Sequence, residues 1–362
     1  MSEPSWQALF REPDEAEYSD SIRVWLLQKE SHPFLLLPQD ARLAAHALSL
    51  YPAQRPLARL ARSLLRSGIQ ARLPVPVTAT EFRLRQDDPF VRFLQRAAGE
   101  SSAKPVRFAI SMGNPHAPGR RFVVLVFNPE GNPAAIVKAG LGDAACGLID
   151  REELVLRSLP EAAGGYPRVR DGFRSVRVHA FATEYIAGRT ALARDERLIV
   201  QLLKGWIDET STIALGETNT WRQLAKHAGL PSDVAGRRVH PALFHGDFAP
   251  WNIRISGARR VVALDWERGE VAGIPTWDWL HFVIQTKILT ERATISSIVA
   301  TLERLLRSSE FRDYAERALV SGVERHLALY YLVYCITVLK QSAGVPKLTA
   351  LHRALTRRWL ND

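Results

Sequence analysis

The sequence predicts an α+β fold in which antiparallel strands and helices are largely segregated along the chain, and three observations carry that prediction. Residues 106–110, 122–127 and 134–138 form apolar runs separated by stretches rich in Gly, Pro and Asn, the pattern of an antiparallel meander. Beyond Gly188, apolar residues recur mostly at helical spacing. Two short apolar runs, 242–244 and 260–264, interrupt that helical part, and each ends on a polar cluster.

Residues 1–104 read as an extension. Strands are expected at 24–27 and 34–37 and helices at 40–51, 56–68 and 89–98, with no repeat, low-complexity tract or catalytic motif. A second segment, 105–186, holds the meander, which ends in Lys138, and a helix over 150–159 whose Glu152, Leu156 and Leu159 share one face. An alternating strand over 176–190 breaks at Gly188. In the third segment, 187–362, Leu198, Leu202, Ile207 and Ile213 predict a helix over 198–215, and Pro275 opens another that carries Asp278 in its first turn. Residues 281–362 read as amphipathic helices. The run 327–339 is apolar all round but shorter than the roughly 20 residues that span a bilayer. It reads as a buried core helix, with a tyrosine-lined pocket wall as the alternative.

The chemistry sits in His245-Gly246-Asp247-Phe248-Ala249-Pro250-Trp251-Asn252, followed 13 residues after Asn252 by Asp265-Trp266-Glu267. Phosphoryl transfer needs a carboxylate to orient the attacking hydroxyl and accept its proton, and hard oxygen ligands to hold Mg²⁺ on nucleotide phosphates. Asp247, Asn252 and Asp265 offer those oxygens. A flexible ammonium at the end of a strand, as at Lys138, can reach α- and β-phosphates. Taken alone, His245 is explained equally well as a buried histidine bonded to backbone. A zinc set of His240, His245 and Asp247 lacks the further Cys or His that tetrahedral coordination asks for.

H-G-D-x-x-x-x-N followed by D-W-E resembles the aminoglycoside phosphotransferase and choline kinase group, the small-molecule branch of the protein-kinase-like fold. A protein kinase would show H-R-D and D-F-G at these places, so Gly246 and Trp266 point away from protein substrates. The resemblance covers about residues 105–362. It implies two lobes, a small antiparallel β lobe and a mostly α-helical large lobe, with ATP or GTP bound between them. It implies that Asp247 orients the acceptor hydroxyl, that Asn252 and Asp265 hold Mg²⁺, and that His245 and Asp278 brace the catalytic loop. Lys138 would meet the phosphates, paired with Glu152 rather than Glu153, because the family places that glutamate after an arginine. The backbones of Glu184 and Ile186 would meet the base. The chain departs from the pattern at the phosphate-covering loop, where Gly113 and Gly119 do not form G-x-G-x-x-G and prolines remove donors. The cradle then rests on the amides around Ser111, Met112, Gly113 and Asn114. The implied acceptor is a small-molecule hydroxyl on a sugar, amino sugar or amino alcohol.

The formal charge of +10 and a pI near 9.9 come from arginine. Arg55, Arg59, Arg62 and Arg66 form a stripe opposite Leu57, Leu60, Leu64 and Leu65 on the helix expected at 56–68. Its ordinary reading is a solvated face. The other is a surface for an anionic partner or an oligomer contact, without any motif for specific nucleic-acid binding. Cys146 and Cys335 suggest neither a disulfide framework nor a metal spacing, and no leader or membrane span is evident, so a cytoplasmic enzyme is expected. Two other classes compete with the kinase reading: a nucleotide-binding pseudoenzyme, and a regulatory scaffold that docks an anionic partner through its basic N-terminal helix.

Overall fold

The computed structural model of the chain describes residues 6–10, 20–29, 32–51, 56–73, 75, 77–85, 87–99, 105–113, 119–229, 232–257, 259–340 and 344–360. They belong to two compact units, Met1–Arg157 with Pro167–Ile186, and Ser158–Tyr166 with Ala187–Asp362.

Eight strands of the first unit form one antiparallel sheet. They are β1 (Asp20–Lys29), β2 (His32–Pro38), β3 (Thr78–Leu84), β4 (Arg107–Ser111), β5 (Arg121–Phe127), β6 (Pro133–Leu141), β7 (Val169–Arg174) and β8 (Val178–Glu184), in the spatial order β3-β1-β2-β4-β5-β6-β8-β7. The first hundred residues thus contribute three strands to the same sheet as the meander β4-β5-β6, through pairing of Leu36 with Ile110. Among the described residues four α-helices accompany it: α1 (Ala41–Ala47), α2 (Pro56–Gln70), α3 (Pro89–Ala98) and α4 (Asp143–Ser158).

The central strands are apolar at nearly every position because both faces are covered. Side chains alternate across a strand, and Leu36, Ile110, Val124, Val126, Val137 and Ala139 pack with Phe90, Phe93 and Leu94 of α3. Leu35, Leu37, Ala109, Leu125 and Phe127 face the other way, against Leu43, Ala44 and Ala47 of α1 and Ile69 of α2. Lys138, between Val137 and Ala139, therefore points away from α3.

The helix expected at 89–98 is α3, and its ends show why it is legible. Asp88 accepts from the amides of Phe90 (2.7 Å) and Val91 (3.3 Å), Pro89 occupies the first turn, and Gly99 closes the helix at φ 75°. On α2, by contrast, the predicted division of faces is not what is seen. Leu60 and Leu64 are 56 % and 64 % exposed, and Arg62 turns inward to donate to the Tyr51 carbonyl. Arg55 lies outside the described residues, as do the side chains of Leu57 and Arg59.

In the second unit the short strands β9 (Arg189–Thr190), β10 (Ile213–Ala214), β11 (Arg238–Val239), β12 (Ala242–Phe244), β13 (Ile253–Ile255), β14 (Val261–Ala263) and β15 (Glu270–Gly273) are set, among the described residues, with eight α-helices. These are α5 (Glu196–Gly205), α6 (Asn219–Ala225), α7 (Ser232–Ala235), α8 (Trp277–Gln285), α9 (Ile295–Arg307), α10 (Ser309–Arg317), α11 (Glu324–Thr337) and α12 (Val345–Leu360). The helix expected to run to residue 215 stops at Gly205. Beyond it the Asp208 carboxylate accepts from the Thr210 amide and from the hydroxyls of Thr210 and Ser211, and Ile213 joins β10. A local side-chain turn outcompetes helix continuation there. The apolar run at 327–339 is largely α11, packed on α8 and α12. Among the described residues no helix is long and apolar enough to cross a membrane.

Replacing Asp88 by Ala removes a buried cap and should cost about 1 kcal/mol. A fall of roughly 2–4 °C in the melting temperature, followed by circular dichroism, is the expected result.

Candidate active site

The first unit supplies a paired cation. Lys138 lies within β6, which pairs on to Leu141 rather than ending at the lysine as expected, opposite Val123 of β5 and Phe181 of β8, and its Nζ meets Glu152 Oε1 of α4 at 2.5 Å. Glu152 is buried, and Glu153, next in sequence, bonds instead to Arg157 and Arg174. Ser111 ends β4. Gly113 follows at φ 63°, where a Cβ would stand 2.5 Å from the Arg121 carbonyl oxygen, so only glycine fits. Residues 114–118, including Asn114, lie outside the described residues. Glu184 ends β8 opposite Ala135, the Tyr185 amide continues the pairing to the Ala134 carbonyl, and Ile186 closes the unit.

The second unit holds the acidic residues. Their loop, 245–252, leaves β12 and enters β13, and its backbone donors are met by side chains rather than by a strand ladder. Asp278, in the first turn of α8, accepts from the His245 amide at 2.6 Å through Oδ2 and from the Gly246 amide at 3.1 Å through Oδ1. Burial pushes its carboxyl up to about 7, against the pull of those two amides. Gly246 has φ 77°, and a Cβ there would stand 2.7 Å from the Arg268 Cβ. Glycine is therefore required in this loop by space as well as by conformation.

His245 is sealed inside. Its Nδ1 accepts from the Asp247 amide at 3.2 Å, so Nε2 carries the proton and donates to the Leu264 carbonyl at 2.7 Å. Burial lowers its pKa to about 4 and keeps the ring neutral. The ring packs on Trp266 with centroids 4.9 Å apart, and Trp266 in turn lies against Trp206. Both nitrogens of His245 serve the backbone, and among the described residues no cluster of three or more His, Cys, Asp or Glu side chains is set to hold a metal. That geometry disposes of the zinc set.

Asp247 and Asn252 are joined directly. The Asn252 amide nitrogen donates to Asp247 Oδ2 at 3.0 Å and to the Asp247 carbonyl at 2.9 Å, which turns the Asn252 side-chain oxygen away from Asp247. In the β13–β14 ladder Ile253 pairs with Ala263, and the Leu264 amide extends it to the Asn252 carbonyl at 2.7 Å. This brings Asn252 beside the segment that carries Asp265. Asp265 itself has φ 71°, a left-handed conformation uncommon outside glycine and tolerated best by Asp and Asn. A half-exposed carboxylate and an amide oxygen on neighbouring segments are the hard donors Mg²⁺ prefers, and few protein ligands suffice where phosphates and water complete the shell.

One polar contact was not anticipated. His281 Nε2 lies 3.0 Å from Asp247 Oδ1, and the Tyr331 hydroxyl lies 2.9 Å from His281 Nδ1. The signal was present as Asp278-Trp279-Leu280-His281, a spacing of three that puts both side chains on one helix face.

No family model and no curated protein matches the chain. Among solved structures it is similar to a protein assigned to the aminoglycoside phosphotransferases of Ralstonia eutropha, at 12 % identity and a TM-score of 0.46 over 74 % of this chain and 97 % of that one. It is similar to aminoglycoside phosphotransferase APH(4)-Ia at 14 % identity and a TM-score of 0.45, over the same shares of the two chains. A protein assigned as a fructosamine-3-kinase of Haemophilus somnus aligns at 11 % identity and 0.41, over 74 % of this chain and 95 % of that one. These likenesses are distant.

Asp278→Asn keeps one acceptor and turns an NH₂ towards a backbone N–H, so at pH 8 the variant should lose about 1–3 kcal/mol in urea unfolding. His245 also makes stability depend on pH. The unfolded chain takes up its proton near pH 6.5 and the folded chain only near 4, so its contribution is complete above 6.5 and is lost as pH falls towards 4. Between pH 7 and pH 5 the wild type should lose roughly 2 kcal/mol relative to His245→Asn. Asp278 acts in the opposite sense over this range and is present in both chains.

Proposed function

We propose that the chain is a phosphotransferase that moves the γ-phosphoryl group of ATP or GTP to a hydroxyl of a small molecule. The observation that carries this reading is the constellation in the second unit: Asp247 fixed by Asn252, and Asn252 tied by its carbonyl to the strand end that leads into Asp265.

Asp247 orients the acceptor hydroxyl and takes its proton as the new O–P bond forms and the bond to the leaving nucleoside diphosphate breaks. The Asn252 oxygen and the Asp265 carboxylate would hold Mg²⁺, which when bound neutralises charge on the phosphates. Lys138, kept extended by Glu152, serves the α- and β-phosphates, with the backbone amides at Ser111 and Gly113 as further donors. The backbones of Glu184 and Ile186 serve the base. His245 and Asp278 act through the loop they brace. Sugars, amino sugars and amino alcohols are the acceptors to screen.

Thermal unfolding with ATP or GTP, with and without Mg²⁺, tests the reading. At 100 times the dissociation constant a ligand of the folded state adds about 2.7 kcal/mol, a rise of roughly 5–10 °C. That rise should require Mg²⁺ and be lost in Asp265→Ala. Asp247→Ala should keep the rise and lower transfer at least about 100-fold. Mg²⁺-dependent stabilisation without transfer to any acceptor would instead favour a nucleotide-binding pseudoenzyme, and wild-type transfer by both variants would refute the assignment.

A further inference from the structure

Asp247 is held at both carboxylate oxygens, by two donors of different kinds. Oδ2 accepts from the Asn252 amide at 3.0 Å, within its own loop, while Oδ1 faces His281 Nε2 at 3.0 Å, from α8. A carboxylate only accepts, so Nε2 of His281 carries a proton. On the other side of the ring the Tyr331 hydroxyl of α11 lies 2.9 Å from Nδ1. His281 and Tyr331 are each 1 % exposed, against 24 % for the Asp247 side chain, so only the carboxylate end of this chain of hydrogen bonds is open to solvent. Tyr331 packs on Trp277, the first residue of α8, with ring centroids 5.9 Å apart.

The burial is costly unless every polar atom is matched. A phenylalanine or leucine at each of positions 281 and 331 would fill this part of the α8–α11 contact without that requirement. The polar pair therefore has a use beyond packing, and the atom it ends on is the carboxylate that the phosphotransferase reading makes the base.

We propose that His281, oriented by the Tyr331 hydroxyl, is a positioning residue for Asp247: its Nε2–H fixes the rotation of the carboxylate about its side-chain bonds, so that the remaining lone pairs face the acceptor hydroxyl. Asp278 holds the backbone of the loop from the first turn of α8, and His281, three residues on, holds its reacting side chain from the same face. One helix thereby sets both the position and the rotation of the base. The kinetic consequence rests on the phosphotransferase reading; the hydrogen-bond chain does not.

The test has two arms. In the full chain labelled with ¹⁵N-histidine, His281 should carry a proton at Nε2, and both Asp247→Ala and Tyr331→Phe should move its nitrogen shifts. Shifts indifferent to both variants would overturn the proposal, whether or not the protein transfers phosphate. In the kinetic arm, His281→Leu should lower kcat on the order of 10- to 100-fold, the scale of a misplaced catalytic group, with nucleotide KM within about twofold. His281→Gln, which returns an N–H donor at similar reach, should recover most of that loss, and Tyr331→Phe should lose less than His281→Leu. Unchanged kcat in His281→Leu, or equal losses in the Leu and Gln variants at matched melting temperature, would also overturn the proposal. A wild type that transfers phosphate to no acceptor would refute the phosphotransferase reading and leave the nitrogen shifts to decide the chain.

Discussion

A buried carboxylate holds the candidate active site together. The loop between β12 and β13 has no ladder of its own, and its N–H groups at His245 and Gly246 point into the protein, where an unmatched donor is expensive. Asp278 accepts from both, one to each oxygen. Its own burial is made tolerable by those two bonds and by its place in the first turn of α8, where the helix dipole favours negative charge. Every other feature of the loop presupposes this clamp. Gly246 can take its left-handed conformation close against Arg268, and His245 can spend both ring nitrogens on backbone partners, the Asp247 amide and the Leu264 carbonyl.

From this clamp the geometry propagates along backbone bonds. His245 ties the loop to Leu264, and Leu264 is tied to Asn252 and precedes Asp265. Asp247, Asn252, His245 and Leu264 are thus joined in one closed set of hydrogen bonds that ends beside Asp265, with the rings of Trp206, Phe248 and Trp266 packed together next to His245. Rigid support with a few exposed carboxylate oxygens is what electrostatic catalysis asks of a protein, since preorganised groups need no reorganisation as charge moves.

Two of the strands that the pattern does not reveal share a physical cause. The strands β3 and β7 escaped notice, and they are the two edges of the sheet, where one side lies unpaired and polar residues discourage further pairing. Val169–Arg174 carries two arginines, an aspartate and a glycine, which makes a poor strand by pattern and a serviceable edge. The overlong helix after Leu198 failed for a different reason, because Asp208 caps its own turn. On α2 the apolar stripe was visible but its orientation was not, and two leucines expected to pack face outward. His281 was visible one turn after Asp278, yet nothing local distinguishes a histidine that touches a carboxylate from one that merely fills space.

The sequence by itself determined the α+β class, the meander that carries Lys138, and the residues of the acidic loop, while the choice of Glu152 over Glu153 came from the family resemblance. Those are local matters, written in alternation, turn residues and short spacings. Only the tertiary structure decided that the first hundred residues extend the sheet of the meander, that the Asp278 carboxylate takes both loop amides, and that Tyr331, 84 residues beyond Asp247, reaches it through His281. Such contacts depend on which faces of distant elements meet, and a hydrogen bond between them leaves no periodicity in the chain.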